Sequence, residues 1–240
     1  MGTSKPHWPM LIRPHLEWSR NDDLLSFSLK DLGQSFPALV NHGITDQAAS
    51  LFQEMADLTK VIDAHCRGVK VILNMPAFIH RRNAVQHRLM SLPSGDEIER
   101  GEIRSTRMYD AIRNAAMIYS AAVTFPLPPL QGIFRKLANR LRFIAEESKS
   151  DACWPQFPKT LLWVLTLGGI AAFDTADRAW YVRNLAGFSA SFNISEWENV
   201  VGDLKGHLWL ESACDDSGRC LWVEVNRERA FLDGLEEDGK

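Results

Sequence analysis

Residues 161–172 read Leu-Leu-Trp-Val-Leu-Thr-Leu-Gly-Gly-Ile-Ala-Ala, twelve positions in which Thr166 carries the sole polar side chain. A helix with no polar face has to be buried on all sides. The run is too short for a membrane span, which needs about 20 residues. Pro158 suits the first turn of such a helix. Gly168 and Gly169 each forfeit up to about 1 kcal/mol of helix propensity, which is tolerable where another helix must approach the backbone closely. The chain is therefore expected to wrap other helices around this one.

The rest of the sequence supplies them. Ala48, Leu51, Phe52, Met55, Leu58 and Ile62 recur at helical spacing over 46–66, and Gly68 ends the pattern. A helix over 74–92 starts with Pro76 in its first turn and turns Phe78, Ile79, Val85 and Leu89 inward. Met108, Ile112, Ala115, Ala116, Tyr119, Ala122 and Val123 mark a helix over 106–124, stopped by Pro126, Pro128 and Pro129. The next, over 130–147, buries Ile133, Phe134, Leu137, Leu141 and Ile144 and turns Arg135, Lys136 and Arg140 to water; it should pack antiparallel to its predecessor.

After the apolar run, Asp174 or Thr175 is expected to cap a helix striped by Tyr181, Leu185, Phe188 and Phe192. Ser195 and Glu198 have capping-box spacing ahead of Trp197, Val200, Val201, Leu204 and Leu208. Asp215-Asp216-Ser217-Gly218 reads as a turn before a short last helix with Leu221, Trp222 and Val225. The β-branched stretch 69–73 has no second run to pair with.

The expected architecture is all-α: a compact single-domain bundle of roughly eight helices without significant sheet. Residues 1–22, with three prolines, form an irregular N-terminal arm whose Trp8, Leu11, Ile12, Leu16 and Trp18 lie on the body, and a short helix follows over 22–32. The helical domain covers 23–228, with an internal boundary near 93–104, and 229–240 form a polar tail.

A hydrophobic fraction of 45% and a charged fraction of 24% over 240 residues place the chain among soluble globular proteins. The net charge of -3 offers no global positive field for a phosphate backbone, so direct nucleic-acid binding by this chain is disfavoured. Cys66, Cys153, Cys214 and Cys220 are too far apart for a zinc motif and read as reduced, buried thiols of an intracellular protein, nuclear or cytoplasmic. No signal-peptide core, P-loop, dinucleotide-binding turn, His-Glu-x-x-His or Gly-x-Ser-x-Gly is present. No cofactor and no metal is expected.

Several words of the sequence are shared with a known family. They are Leu162-Trp163 with Gly169-x-Ala171, Arg178-x-Trp180-Tyr181-Val182, Trp197-Glu198-x-Val200, Leu208-Trp209-Leu210, Cys214-Asp215 with Gly218, and Leu221-Trp222. Upstream stand Arg113-x-Ala115-Ala116-x-Ile118-Tyr119, Phe125-Pro126-x-Pro128-Pro129, and Cys153-Trp154 before Pro158. In this order they resemble the C-terminal part of the regulatory, middle-homology region of fungal zinc-cluster transcription factors, over about half of the chain. The six-cysteine DNA-reading cluster of that family is missing from the sequence. The resemblance implies an all-α body with a role in gene regulation, often of secondary metabolism, and carries no catalytic residue with it.

Three readings follow. A regulatory module would bind a small apolar effector or another transcription factor; Trp163, Trp180, Tyr181, Trp197, Trp209 and Trp222 are the candidate ligand-binding residues, although all but Trp180 also fit a helical core. An enzyme derived from such a module would catalyse a cofactor-free cyclisation or isomerisation of an apolar metabolite. His207 and Glu211, at i and i+4 on one helix with Asp215 beyond, are then its acid–base candidates. A homo- or heterodimerising partner of longer factors is the third. His80 and His87, with Arg81, Arg82 and Arg88, form a basic helix face suited to an anion or simply to water.

Overall fold

The computed structural model describes residues 29–69, 74–98, 101–127, 131–149 and 152–238, with side chains described through Leu232. The N-terminal arm, most of the helix expected over 22–32 and the end of the β-branched stretch lie outside these residues.

Eight α-helices are described: α1 (Asp46–Cys66), α2 (Met75–Met90), α3 (Thr106–Tyr119), α4 (Gln131–Glu147), α5 (Pro158–Ala171), α6 (Arg178–Ser191), α7 (Trp197–Leu204) and α8 (Glu211–Asp238). Among the described residues the only β-pairing is a single bridge between Val40 and Ile44. The all-α expectation is met.

Helix α5 is the centre. Leu162 through Ala171 are buried without interruption, and α3, α4, α6, α7 and α8 all pack against the helix. The glycine pair explains how they fit. A Cβ on Gly168 would lie 2.6 Å from Tyr181 Cζ of α6, and one on Gly169 would lie 2.8 Å from Leu221 Cδ2 of α8. Both separations are shorter than carbon contacts allow, so two helices approach α5 where only glycine leaves room.

Local signals place several boundaries well. Thr45 caps α1 by accepting from the Ala48 amide, and Gly68 follows its end at a left-handed φ of +69°. Asn74 caps α2 and Ser105 caps α3. Arg107, at the start of α3, donates to the carbonyl of Glu147, at the end of α4, at 2.7 Å, so the two helices run antiparallel.

Other expectations are corrected. α3 is regular only to Tyr119 and closes in a π-turn over Ser120–Thr124, where Ser120 donates to Gln86 at 2.5 Å and exchanges a 2.9 Å bond with Thr124. Ile79 is exposed and Phe78 half-buried, because α2 sits on the edge of the body and buries only Val85 and Leu89 fully. In α4 full burial falls to the smaller Ala138 and Ala145 along with Leu141, while Ile133, Phe134, Leu137 and Ile144 lie half-buried at the rim. The thiols are not all sequestered: Cys153 and Cys214 are, Cys66 is half-buried and Cys220 is exposed on α8.

Helix starts in the second half depart further. Neither Asp174 nor Thr175 caps α6. Asp174 takes a left-handed φ of 58°, and Thr175 donates back to the Ala172 carbonyl. Asp177 occupies the cap position, but its carboxylate reaches α4, accepting from Asn139 at 2.9 Å and Arg142 at 2.7 Å. The Ser195–Glu198 capping box does not form. Glu196 stands at the cap without a side-chain bond, the Ser195 carbonyl accepts from Trp222 Nε1, and Glu198 pairs with Arg219. Phe192 of the α6 stripe is exposed and stacks on Phe188.

Asp215-Asp216-Ser217-Gly218 is no turn. It lies inside α8, which runs unbroken for 28 residues and continues through the segment expected as a polar tail. Gly218 faces the Trp197 ring at a distance that excludes any side chain, so this glycine meets a packing need within the helix.

Candidate functional site

His207 sits between α7 and α8 in the connector that the sequence reading assigns to one continuous helix. α7 ends at Leu204 and α8 begins at Glu211, so His207 and Glu211 do not share a helix face. The histidine is completely buried. Its ring stacks on Trp163 with centroids 5.5 Å apart, and the Phe36 ring meets it edge-on at 5.6 Å. Thr160 Oγ1 lies 3.0 Å from Nε2. Nδ1 forms no hydrogen bond of good geometry.

The main chain holds this position too. Gly33 donates to the His207 carbonyl at 3.0 Å and Ser35 donates to that of Gly206 at 2.8 Å, tying the 29–39 segment to the connector. Burial pushes the imidazole down to about 4, which the Asp203 backbone carbonyl opposes and the Lys159 charge reinforces. The ring is therefore neutral near pH 7 and has no access to solvent. It serves as a buried polar plug between two aromatic rings.

The other two acid–base candidates also have structural partners. Glu211, in the first turn of α8, pairs with Lys205 at 2.9 Å and so fastens the connector to the helix. Asp215 accepts from Trp209 Nε1 at 3.0 Å. Desolvation raises the Asp215 carboxyl above its ordinary value, against the pull of the Trp209 and Trp197 indoles and of Arg219. Glu211 and Asp215 stand at i and i+4 on α8, where the Glu211 charge adds to the rise of the Asp215 carboxyl, whereas His207 is sealed in the connector with Trp163, Phe36 and Thr160, so the three do not converge on a common point.

Of the six ligand-binding candidates, Trp163, Tyr181, Trp197, Trp209 and Trp222 are buried. Trp163 Nε1 donates to the Leu208 carbonyl at 2.9 Å. Trp197 packs on Trp209 at 5.9 Å and on Trp222 at 6.2 Å, an aromatic triad closed over Gly218. Tyr181 lies under α4, where its hydroxyl donates to the Ala138 carbonyl at 2.7 Å. These rings fill the space between helices, and the Trp163, Trp209 and Trp222 indoles and the Tyr181 hydroxyl donate to carbonyls or to Asp215.

Trp180 differs. It is half-buried, with Lys149 Nζ 5.4 Å and the Arg142 guanidinium carbon 5.9 Å from its ring centroid. A cation over an indole face is attractive, more so where water is partly excluded. The same Arg142 guanidinium lies 6.0 Å from the ring of Phe143 of α4, which is 55% exposed. Arg135, Lys136 and Arg140 lie on the same outer face of α4, all three exposed. Helical spacing of three, four and seven residues puts Lys136, Arg140 and Phe143 together. The sequence already shows four cations and no acid over 131–145, but not the half-exposed indole that extends the patch.

On α2 two of the five basic residues are engaged within the chain. Arg88 donates to both carboxylate oxygens of Glu54, at 2.8 and 2.9 Å, and Arg82 lies over the Phe125 ring at 4.9 Å. His80, Arg81 and His87 are exposed. Among the described residues no group of three or more His, Cys, Asp or Glu side chains could hold a metal ion, and no helix is long and apolar enough to cross a membrane.

Among the described residues the fold and these sites define an all-α body with a buried aromatic interior and a cationic, aromatic face on α4. No family model, no curated protein and no solved structure matches the chain.

Proposed function

We propose that this chain is a regulatory module of the fungal transcription-factor type, which alters gene expression, in control of secondary metabolism, through a partner protein rather than through DNA contacts of its own. The observation that supports the reading is where the family-like words lie. Leu162-Trp163, Gly169, Tyr181, Trp197, Trp209, Cys214, Gly218 and Leu221-Trp222 are interlocked around α5. Residues shared with a regulatory family at positions of this kind mark a common scaffold, and a scaffold with a closed core acts through its surface. Binding of a small apolar effector is the less supported form of the same reading, since Trp197, Trp209 and Trp222 contact one another and Trp163 stacks on His207.

The test is deletion of the gene with transcript profiling, combined with purification of the tagged full chain from nuclear extract. Changed transcripts and a co-purifying regulator support the proposal. A deletion strain with unchanged transcripts that accumulates a pathway intermediate would point to an enzyme instead. Tight promoter binding by the purified chain alone at physiological salt would contradict the partner-dependent part.

A further inference from the structure

The outer face of α4 and the sequence at the far end of α8 are complementary in charge and in apolar character, and among the described residues Phe143 on the one and Phe231 and Leu232 on the other stand exposed. On α4, Arg135, Lys136 and Arg140 surround the exposed Phe143, and among the described residues none of the three cations forms an ion pair; Arg142, on the flank of the face, pairs with Asp177 and Glu146. On α8, Val225 is the last fully buried residue described, and the Arg229 guanidinium bonded to the Ile194 carbonyl is the last described attachment to the body. Helical residues 230–238 then carry on for about 13 Å at 1.5 Å per residue.

That end has Phe231 62% and Leu232 37% exposed. Its sequence continues with Asp233, Glu236, Glu237 and Asp238 and contains no cation. α4 packs chiefly on α3 and α5 and meets the start of α6 through Asp177, Trp180 and Tyr181, whereas α8 packs on α5 and α6.

We infer that the acidic end of α8 docks on the cationic face of α4 in a second copy of this chain. Phe231 and Leu232 meet Phe143, and the carboxylates meet Arg135, Lys136 and Arg140. Opposite charges steer the encounter and set the register, while the aromatic contact supplies the apolar area. One helix-on-helix contact is smaller than a standard interface, so the association is weak and salt-sensitive, with a dissociation constant on the order of micromolar. The inference rests on charge and packing alone and does not depend on the regulatory reading.

Sedimentation velocity on the full chain, from about 1 to about 100 µM, tests it. At about 50 mM salt the sedimentation coefficient should rise with concentration, and the association should weaken about tenfold or more at about 500 mM. Reversal of the α4 charges (Arg135→Glu, Lys136→Glu, Arg140→Glu) should abolish association, as should reversal on α8 (Asp233→Lys, Glu236→Lys, Glu237→Lys). A mixture of the two reversed proteins should restore it. The α8 variant alone decides the matter if the α4 variant does not fold, judged by its circular dichroism. A monomer at every concentration, or association that neither reversal affects, overturns the inference. So does a labelled oligonucleotide that binds the α4 face of a monomeric chain, which would assign those cations to phosphate.

Discussion

The phenol ring of Tyr181 stands against the backbone of Gly168, so close that an alanine there would bring its Cβ to 2.6 Å from Tyr181 Cζ. Helix α6 therefore locks onto α5 through a ring lying on bare backbone. Gly168→Ala should destabilise the protein by about 1–3 kcal/mol, the usual cost of overpacking, despite the better helix propensity of alanine. Gly202→Ala in α7, whose added Cβ meets nothing within 4 Å, should instead be neutral or stabilising by up to about 1 kcal/mol. Urea unfolding of the two variants beside the parent protein separates these outcomes. Equal effects would refute the close-approach account.

Tyr181 is also anchored at its far end. Its hydroxyl donates to the Ala138 carbonyl at 2.7 Å, and burial holds the phenol far above its ordinary pKa. Tyr181→Phe keeps the ring and removes the bond, leaving a buried carbonyl without that donor. A loss of about 1–3 kcal/mol in urea unfolding is expected.

The buried His207 makes stability depend on pH. Its folded value of about 4 lies below the ordinary 6.5, so between these values the unfolded chain binds a proton that the folded chain does not. The stabilisation is complete above about pH 6.5 and is lost as the pH falls toward 4, amounting to about 3 kcal/mol at most. His207→Phe, a ring of similar shape without a titrating group, should flatten the stability profile over this window. Unfolding curves at pH 7, 5.5 and 4.5 measure it, and an unchanged slope in the variant would show that another group is responsible.

Arg178 joins three elements. It donates to both carboxylate oxygens of Glu224 on α8, at 2.9 and 3.1 Å, and to the Gly169 carbonyl of α5. Its side chain is 11% exposed, that of Glu224 38%. Arg178→Ala leaves the Gly169 carbonyl and the Glu224 carboxylate without their donor and should cost about 2–4 kcal/mol. Arg178→Lys keeps the charge but cannot reproduce the two-pronged geometry, so it should recover only part of that loss. The ordering parent, lysine, alanine in thermal midpoint is the expected result.

Thiol labelling checks the placement of α8 and the core. Cys220 is exposed and should react with a disulfide reagent at once. Cys66, half-buried and with its thiol raised by burial and by Asp63, should follow slowly. Cys214 is fully buried with a thiol pushed up to about 12 and should stay inert until the protein unfolds. Rapid modification of Cys214 in the native protein would place α8 wrongly.

Much of the architecture was legible because helical periodicity is a local property. The spacing of Leu51, Phe52, Met55 and Leu58 defines α1 to the residue, and the absence of any polar face on 161–172 is enough to make α5 central. The candidate site was far less legible. His207, Glu211 and Asp215 look like an acid–base set only while they are assumed to share one helix. The break after Leu204 takes His207 off the helix that carries Glu211 and Asp215, and the connector is held by the 29–39 segment bonding to Gly206 and His207 from more than 160 residues away.

The sequence by itself determined the helical class, the buried core helix and the need for close approach at Gly168 and Gly169. Each follows from side chains within a few turns of one another. Tertiary structure alone decided that Asp215–Gly218 is helical, that Ser195 does not cap, and that α8 runs on as helix to Asp238. The reason is that turn and cap propensities are worth about 1 kcal/mol, so they yield to packing such as that of Trp197 on Gly218 or the Trp222 indole donating to the Ser195 carbonyl. The Arg178–Glu224 pair bridges a separation of 46 residues. No pattern of period 3.6 encodes such a contact, so it exists only once α5 has brought its neighbours together.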